Sequence, residues 1–202
     1  MEWLIEGVFF YVIVVLSATV HEYAHAFAAF TLGDSTARDA GRLSLNPLVH
    51  LDPIGTVILP LALFLTSGIF IGWARPVPYN PHRLQDKKFG TLKVALAGPL
   101  ANFTIALAFG LALRLLLLPL PIFSSDFTNL LELVVRINLW LMLFNLIPFP
   151  PLDGSKIAAE VFPRLWRGVA SLGIWGFAFA LFAATLVLPP VVAFLFRGIV
   201  GA

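Results

Sequence analysis

Residues 3–32 read WLIEGVFFYVIVVLSATVHEYAHAFAAFTL. This run is long enough to cross a bilayer, because a helix needs about 20 predominantly apolar residues to span ~30 Å of hydrocarbon. Three ionisable side chains interrupt it toward its C-terminal end, namely His21, Glu22 and His25. Ionisable groups inside a membrane segment are costly and are functional by default. The run therefore predicts a transmembrane helix that carries chemistry. Because no basic residue precedes it, we expect it to be retained rather than removed as a signal peptide.

The composition predicts an integral membrane protein. Of the 202 residues, 59% are hydrophobic and 12% are charged, whereas soluble domains average about 25% charged residues. The absence of cysteine excludes a disulfide scaffold and a cysteine-ligated metal site. A net charge of +2 supplies no basic field for nucleic acid. We therefore expect a single transmembrane domain over residues 1–202, with the lipid bilayer as its surroundings and no nucleic-acid partner.

Further apolar stretches predict additional spanning helices. They cover residues 92–118, 129–147 and 168–188, each close to the length that a spanning helix requires. The last is followed by Pro189, Pro190 and a shorter apolar tail up to Val200, and proline interrupts helices because it lacks an N–H donor. The predicted fold is an all-α polytopic membrane protein with about four to five transmembrane helices.

Residues 54–71 are apolar but form a poor spanning segment. Pro60 lies near their middle, and Thr66, Ser67 and Gly68 follow soon after it. We expect a re-entrant or membrane-lining segment that turns back after Pro60, with residues 69–77 extended. Irregular backbone at membrane depth is tolerated only where protein or a water-filled cavity satisfies its polar groups. The sequence thus predicts a cavity near this segment.

The motif His21-Glu22-Tyr23-Ala24-His25 has the spacing of a helical metal site. Residues four apart lie on one face of a helix, so both imidazoles can reach one ion. Catalytic zinc has three protein ligands and one open position for water, and a neighbouring carboxylate accepts the proton of the attacking water. The motif predicts two metal ligands and Glu22 as a general base.

A third ligand has to come from another part of the chain. The other histidines are His50 and His82, and acidic residues within apolar stretches are rare. Asp153 is the strongest candidate, because it lies in the stretch NLIPFPPLDG, residues 145–154, at the end of a membrane segment. The prolines of this stretch are expected to break the helix, and Gly154 is expected to relieve the turn after it. A carboxylate there is costly unless something offsets its charge, and a divalent cation would do so. His50 is not placed at ligand spacing from the histidine pair, which favours a structural role for it.

The two motifs together resemble the site-2 protease family of intramembrane zinc metalloproteases, in which HExxH and a distal LDG lie on different membrane helices. The resemblance extends to AGPLAN, residues 97–102, which is similar to the family's GPxxN element. It implies one zinc ion held by His21, His25 and Asp153, with Glu22 activating the water. It also implies transmembrane protein substrates, which are cut in or near their membrane segments. We expect a short form of the family, without a PDZ or CBS domain.

Asn102 and Asn145 are the candidate substrate-binding residues. A membrane asparagine often forms an interhelical hydrogen bond, and Gly98 with Ala101 can equally mark a close helix contact. The alternative is that these amides bind the substrate backbone or the developing oxyanion, as the resemblance suggests.

The ligand positions also predict the orientation of the chain. His21, His25 and Asp153 must share one depth, so the first span and the span 129–147 that precedes Asp153 must run in the same direction. This requires an odd number of crossings between these two spans, and the stretch 92–118 supplies one. Loops 33–53, 72–91 and 148–167 then share one side and carry most of the Arg and Lys residues. The positive-inside rule makes that side cytoplasmic in the cell membrane.

Two other functions use the same residues. A metal transporter would be expected to show a chain of ligands across the membrane or a repeat, and the sequence shows neither. A catalytically inactive homologue that only binds partners would be expected to lack Glu22 or a ligand, yet all four residues are present. The sequence therefore favours an intramembrane zinc endopeptidase.

Overall fold

The computed structural model describes residues 2–68, 72–117 and 124–201. Four helices in this part of the chain are long and apolar enough to cross a membrane, which confirms the predicted all-α polytopic fold. They are Ile5–Thr31, Gly90–Leu117, Ser125–Asn145 and Ala178–Val200. The chain divides into two compact units, Met1–Gly90 and Thr91–Ala202.

Helix α1, Glu2–Thr31, dominates the first unit. It ends before Gly33, whose φ of 97° is a left-handed conformation that glycine adopts without steric cost. The short helix α2, Thr36–Asp39, follows directly and packs on α1. A single 3₁₀ turn, Pro47–Val49, then leads toward the next apolar segment.

The segment predicted to be re-entrant contains a short helix, and the chain after this helix returns to the start of the segment. Its first turns, Pro53–Ile58, are π-helical and continue into α3, Leu59–Ser67. Pro60 lies in the first turn of α3, where proline is tolerated, and the helix ends at Gly68. The apolar helix Pro53–Thr66 is shorter than a spanning helix. After Gly68, the N–H of Trp73 bonds to the carbonyl of Gly55 at 3.0 Å. The two ends of the segment therefore lie side by side, as a re-entrant path requires, and re-entry itself stays a prediction.

Residues 72–80 form a non-helical stretch, here called the strap. Residues 69–71 of the predicted extended stretch 69–77 lie outside the described part of the chain. After the strap, the 3₁₀ turn Pro81–Arg83 leads to the start of the next long helix.

The second unit consists of five helices within the described residues. They are α4, Gly90–Ala112, with a π-helical extension Leu113–Leu117; α5, Ser125–Asn145; α6, Asp153–Val161; α7, Pro163–Ala170; and α8, Gly173–Val200. Helices α5 and α8 pack on each other. The core of this unit is built from side chains of α4, its extension, α5 and α8: Ala106, Leu113, Val135, Leu139, Val192, Phe196 and Val200.

Small and polar residues bring the helices of this unit close together. A Cβ atom at Gly110 of α4 would lie 2.4 Å from Cγ2 of Ile199 in α8, so only glycine permits this approach. The guanidinium of Arg136 in α5 lies 3.6 Å from the ring centroid of Phe196, a cation–π contact.

The final helix differs from the sequence interpretation. Helix α8 runs from Gly173 to Val200 without a break at Pro189 and Pro190, so region 168–188 and the tail are not separate segments. Each proline removes one helical hydrogen bond. Membrane helices tolerate this loss because neighbouring helices and local adjustments satisfy the freed carbonyls.

Candidate metal centre

One face of α1 carries the polar residues of the first unit's candidate site. Ser17, His21 and His25 are buried and follow one another at intervals of four residues, so they form a single stripe along the helix. The Nε2 atoms of His21 and His25 lie 3.0 Å apart, and their rings meet edge to face at an interplanar angle of 83°. The predicted convergence of the two imidazoles is therefore present within this unit.

The geometry of this pair fits two ligand positions of a zinc ion. Tetrahedral zinc with Zn–N bonds of about 2.0–2.1 Å places two nitrogens about 3.3 Å apart. The observed Nε2–Nε2 separation of 3.0 Å differs from that value by a few tenths of an ångström. A small rotation of either ring would open the pair to the ligand distance.

Glu22 lies beside the pair and is held by the strap. Its Oε2 atom accepts a hydrogen bond from the backbone N–H of Val77 at 2.8 Å. This bond joins residues 55 positions apart in sequence. The candidate base is thus oriented by a non-helical segment of the same unit.

The strap itself is fixed to the first unit along its length. Residues 73, 75 and 77 bond to the body of the unit, which is the two-residue period of an extended chain. The other hydrogen bonds are Trp73 N–H to Gly55 O at 3.0 Å, Thr56 Oγ1–H to Trp73 O at 2.8 Å, Arg75 N–H to His50 O at 2.9 Å, Arg42 Nη2–H to Arg75 O at 2.5 Å and Asn80 N–H to Asp34 Oδ2 at 2.5 Å. Of the stretch 69–77 that the sequence predicts to be extended, the described residues 72–77 bear the prediction out.

Arg42 is a buried cation near the candidate base. Only 7% of its surface is exposed, and its Nε atom has no hydrogen-bond partner among the described residues. Burial and the charge of Arg75 lower the pKa of the Arg42 guanidinium, whereas the negative charge of Glu22 raises it. Arginine nevertheless stays protonated. Arg42 therefore places a permanent positive charge under the strap.

Asp34 fixes the far end of the strap. The residue is fully buried, and its carboxylate accepts hydrogen bonds from the N–H and hydroxyl of Thr36 and from the N–H of Asn80. Burial raises the pKa of Asp34, but these hydrogen bonds and the charge of Arg83 outweigh it, so the pKa lies below its ordinary value. The carboxylate is ionised near neutral pH and holds the strap through charge-assisted bonds.

Asp153 begins helix α6 in the second unit. Its side chain is 8% exposed, and Oδ1 accepts a hydrogen bond from Nζ of Lys156 at 3.0 Å. A carboxylate at the first position of a helix is also stabilised by the helix dipole. The acid is therefore buried and kept in one orientation by its own helix, and its role as a zinc ligand stays a prediction.

Gly154 has a different role from the one the sequence suggested. We expected it to relieve a turn after Asp153, but it lies inside α6 and does not have a positive φ. A Cβ atom there would lie 2.3 Å from the carbonyl oxygen of Leu146 and 2.4 Å from that of Ile147. Glycine is required because α6 starts in direct contact with the end of α5.

The two predicted substrate-binding asparagines are both engaged within the second unit. Asn102 is fully buried, and its Nδ2 donates to Oδ1 of Asn138 at 2.9 Å, which joins α4 to α5. Nδ2 of Asn145 donates to the carbonyl of Leu141 at 3.0 Å, one turn back in α5. The Asn102 bond matches the interhelical interpretation, and substrate binding by Asn102 or Asn145 stays a prediction.

Sequence reasoning missed Val77, Arg42, Asp34 and Asn138. A signal existed for Val77, because it lies between Pro76 and Pro78 and is the only one of these three residues with an amide N–H. The partners of the others are distant in sequence, so only the folded chain identifies them.

Comparisons with known proteins place these residues in a family. The profile described as "Peptidase family M50" matches residues 120–188, a range that includes Asn145 and Asp153. The protein named "Putative zinc metalloprotease YwhC" from Bacillus subtilis is 38% identical over 159 residues, which cover 74% of this chain and 67% of the relative. The chain belongs to peptidase family M50. This membership confirms the resemblance to the site-2 protease family and, with the four apolar helices, identifies a membrane protein.

Other relatives of this M50 chain come from mycobacteria. "Putative zinc metalloprotease Rip2" from Mycolicibacterium smegmatis is 34% identical over 176 residues, 85% of this chain and 65% of the relative. The Mycobacterium tuberculosis protein of the same name is 29% identical over 197 residues, 96% of this chain and 73% of the relative. The chain thus spans about two thirds of the length of the curated relatives it matches. No solved structure matches it significantly.

Proposed function

We propose that this M50 chain is an intramembrane zinc endopeptidase that hydrolyses peptide bonds in or beside transmembrane segments of membrane protein substrates. The observation that carries the proposal is the buried His21–His25 pair, with Nε2 atoms 3.0 Å apart, within an apolar helix long enough to span a bilayer. Glu22 lies between the two histidines in sequence, and its carboxylate is held in place by the strap. The names of the relatives, which describe zinc metalloproteases, also support it.

In this proposal His21, His25 and Asp153 hold one zinc ion. The two histidines are proposed from their geometry, and Asp153 from its place in the LDG motif and its burial. A bound zinc ion supplies Lewis acidity and lowers the pKa of water. The transporter and inactive-homologue alternatives use the same ligands but do not require Glu22.

Glu22 has the role of general acid and base. Its carboxylate accepts a proton from the attacking water and passes it to the leaving nitrogen of the scissile peptide. One oxygen, Oε2, is already bonded to Val77 N–H, which leaves Oε1 for this proton. Asn102 and Asn145 are proposed to act on the substrate backbone or the developing oxyanion.

The strap is the proposed contact for an unwound substrate. A helical substrate hides its carbonyls in its own hydrogen bonds, so it has to unwind before it can be cut. Residues 73, 75 and 77 face the body of the unit, and the intervening residues of an extended chain point their polar groups to the opposite edge. Pro76 and Pro78 have no N–H, and the Pro76 carbonyl is approached by Arg42 at 3.5 Å, so strand addition would be two-sided only around Ala74.

We further propose that the protein lies in the cell membrane with this site toward the cytoplasm, and that residues 1–202 act as one metalloprotease domain. The orientation is proposed from the basic residues of loops 33–53, 72–91 and 148–167.

The function is tested by zinc content and cleavage of a panel of single-span membrane proteins in nanodiscs. Glu22→Gln should lower cleavage about 100-fold or more and leave zinc bound, because an amide cannot accept the proton. Asp153→Asn should lower both, because an amide is a weaker zinc ligand than a carboxylate. Glu6→Gln on the exposed side of α1 and Asp126→Asn in the first turn of α5 are matched controls.

Two results would contradict the proposal. Cleavage by Glu22→Gln at the wild-type rate would refute the assignment of the base. Full zinc occupancy and full activity in Asp153→Asn would place the third ligand elsewhere, and His50→Ala would then be measured.

A further inference from the structure

The strap reaches Glu22 through a sequence that leaves few amide donors. Residues 75–79 read RPVPY, and both Pro76 and Pro78 lack an N–H. Of residues 76–78, only Val77 can therefore donate a backbone hydrogen bond. Its N–H is the one that bonds to Glu22 Oε2 at 2.8 Å. The flanking prolines also restrict the backbone to extended conformations. The donor is thus presented by a stiff segment.

Buried interactions on both sides of Val77 fix the position of this donor. On the N-terminal side, Arg42 donates to the carbonyl of Arg75 at 2.5 Å and approaches that of Pro76 at 3.5 Å. The Arg75 N–H bonds to His50 O at 2.9 Å. On the C-terminal side, Asp34 accepts from Asn80 N–H. The Val77 N–H is therefore held between two attachments that do not involve Glu22.

A glutamate base benefits from such a restraint. Its side chain has three rotatable bonds, and proton transfer requires the acceptor oxygen to lie within hydrogen-bond reach of the water. A displacement of about 1 Å can cost roughly 100-fold in rate. A donor on Oε2 fixes the plane of the carboxylate and leaves Oε1 for the proton.

We propose that the backbone N–H of Val77 is a positioning group that orients the Glu22 carboxylate for catalysis, and that Arg42 holds the strap at the distance from Glu22 that this hydrogen bond requires. The proposal rests on the peptidase function proposed above. Val77 does not touch the substrate in this scheme and acts only through Glu22. Its side chain is therefore dispensable, whereas its amide is not.

The kinetic test removes the amide while keeping the side chain. An amide-to-ester replacement at Val77, introduced by nonsense suppression with the α-hydroxy acid, deletes the N–H with little change of shape. Val77→Pro deletes it genetically, and Val77→Ala keeps it. We expect kcat to fall about tenfold or more in the ester and proline variants, with KM within about twofold and zinc content retained, and we expect Val77→Ala to recover most of kcat.

A second readout does not depend on turnover. In protein labelled with ¹⁵N-valine, the Val77 amide resonance is assigned by its disappearance in Val77→Ala. A carboxylate acceptor shifts an amide proton downfield more than a neutral acceptor does, because the hydrogen bond is charge-assisted. Glu22→Gln should therefore move the Val77 resonance upfield and leave valine amides remote from residue 22 in place, whereas Glu6→Gln should not move the Val77 resonance.

The outcomes separate this proposal from the proposed function. Wild-type kcat in the ester variant, or a Val77 resonance that ignores Glu22→Gln, would overturn the positioning role. A matched rise in KM with unchanged kcat would also overturn it, since the strap would then serve substrate binding alone. If wild-type protein shows no Glu22-dependent cleavage, the peptidase function is wrong, and the resonance still reports whether Val77 holds Glu22.

Discussion

The hydrogen bonds of Asp34 set the free energy that is needed to open the C-terminal end of the strap. Asp34 is fully buried and accepts hydrogen bonds from Thr36 N–H at 3.1 Å, Thr36 Oγ1–H at 2.5 Å and Asn80 N–H at 2.5 Å. In Asp34→Asn the amide NH₂ group would replace one acceptor oxygen, so a donor would face a donor. Hydrogen bonds to charged groups contribute about 1.5–3 kcal/mol, against about 0.5–1.5 kcal/mol for neutral ones. Opening the strap breaks only the Asn80 bond, because both Thr36 bonds lie within residues 34–36. Losing the Asn80 bond should therefore lower the free energy of opening the strap by about 1.5–3 kcal/mol.

Hydrogen exchange at the Asn80 amide measures this opening. Because 1.4 kcal/mol corresponds to a factor of ten, exchange should accelerate about 10- to 150-fold in Asp34→Asn. Asp39→Asn is the matched control. It removes the same charge five residues further along the chain, and the Asp39 side chain is 54% exposed. We expect that control to leave exchange at Asn80 unchanged. Equal exchange in wild type, Asp34→Asn and Asp39→Asn would refute the view that Asp34 holds the strap.

The pH dependence of this attachment follows from the lowered pKa of Asp34. A depressed carboxyl pKa contributes stability that is complete above the unfolded value of about 3.9 and is lost as the pH falls through the folded value. The difference between wild type and Asp34→Asn should therefore be constant from about pH 5 upward and should shrink below about pH 4. A difference that shrinks between pH 5 and 7 would mean that another group titrates.

Two further predictions concern the start of α6 and the re-entrant segment. Gly154→Ala should destabilise the second unit by about 1–3 kcal/mol in SDS unfolding titrations, because its Cβ would meet the Leu146 carbonyl oxygen at 2.3 Å. Gly168→Ala is the control and should be neutral or slightly stabilising, because its Cβ would meet no atom of the described residues within 4 Å. Equal stabilities of the two variants would contradict the close approach. Single cysteines placed at Asp39 and Gln85, in a chain with no native cysteine, should both react with a membrane-impermeant thiol reagent from the cytoplasmic face only. Labelling of the two positions from opposite faces would show that residues 54–71 cross the membrane.

The sequence by itself determined the membrane class, the four long helices and the histidine pair. Spanning helices are recognisable because the thickness of the bilayer requires about 20 consecutive apolar residues, a pattern that can be read along the chain. The convergence of His21 and His25 is equally local, since a helix places residues four apart on one face. Both predictions depend on neighbours along the chain, and both hold in the structure.

Only the tertiary structure decided what lies against these local elements. The partner of Glu22 is an amide 55 residues away, and the partner of Asn102 is an asparagine 36 residues away. The proline rule also failed at Pro189 and Pro190, which lie inside the unbroken helix α8. The cost of a missing helical hydrogen bond is decided by the surroundings of the freed carbonyl. Packing of distant segments, rather than local propensity, therefore fixed the strap, the role of Gly154 and the unbroken last helix.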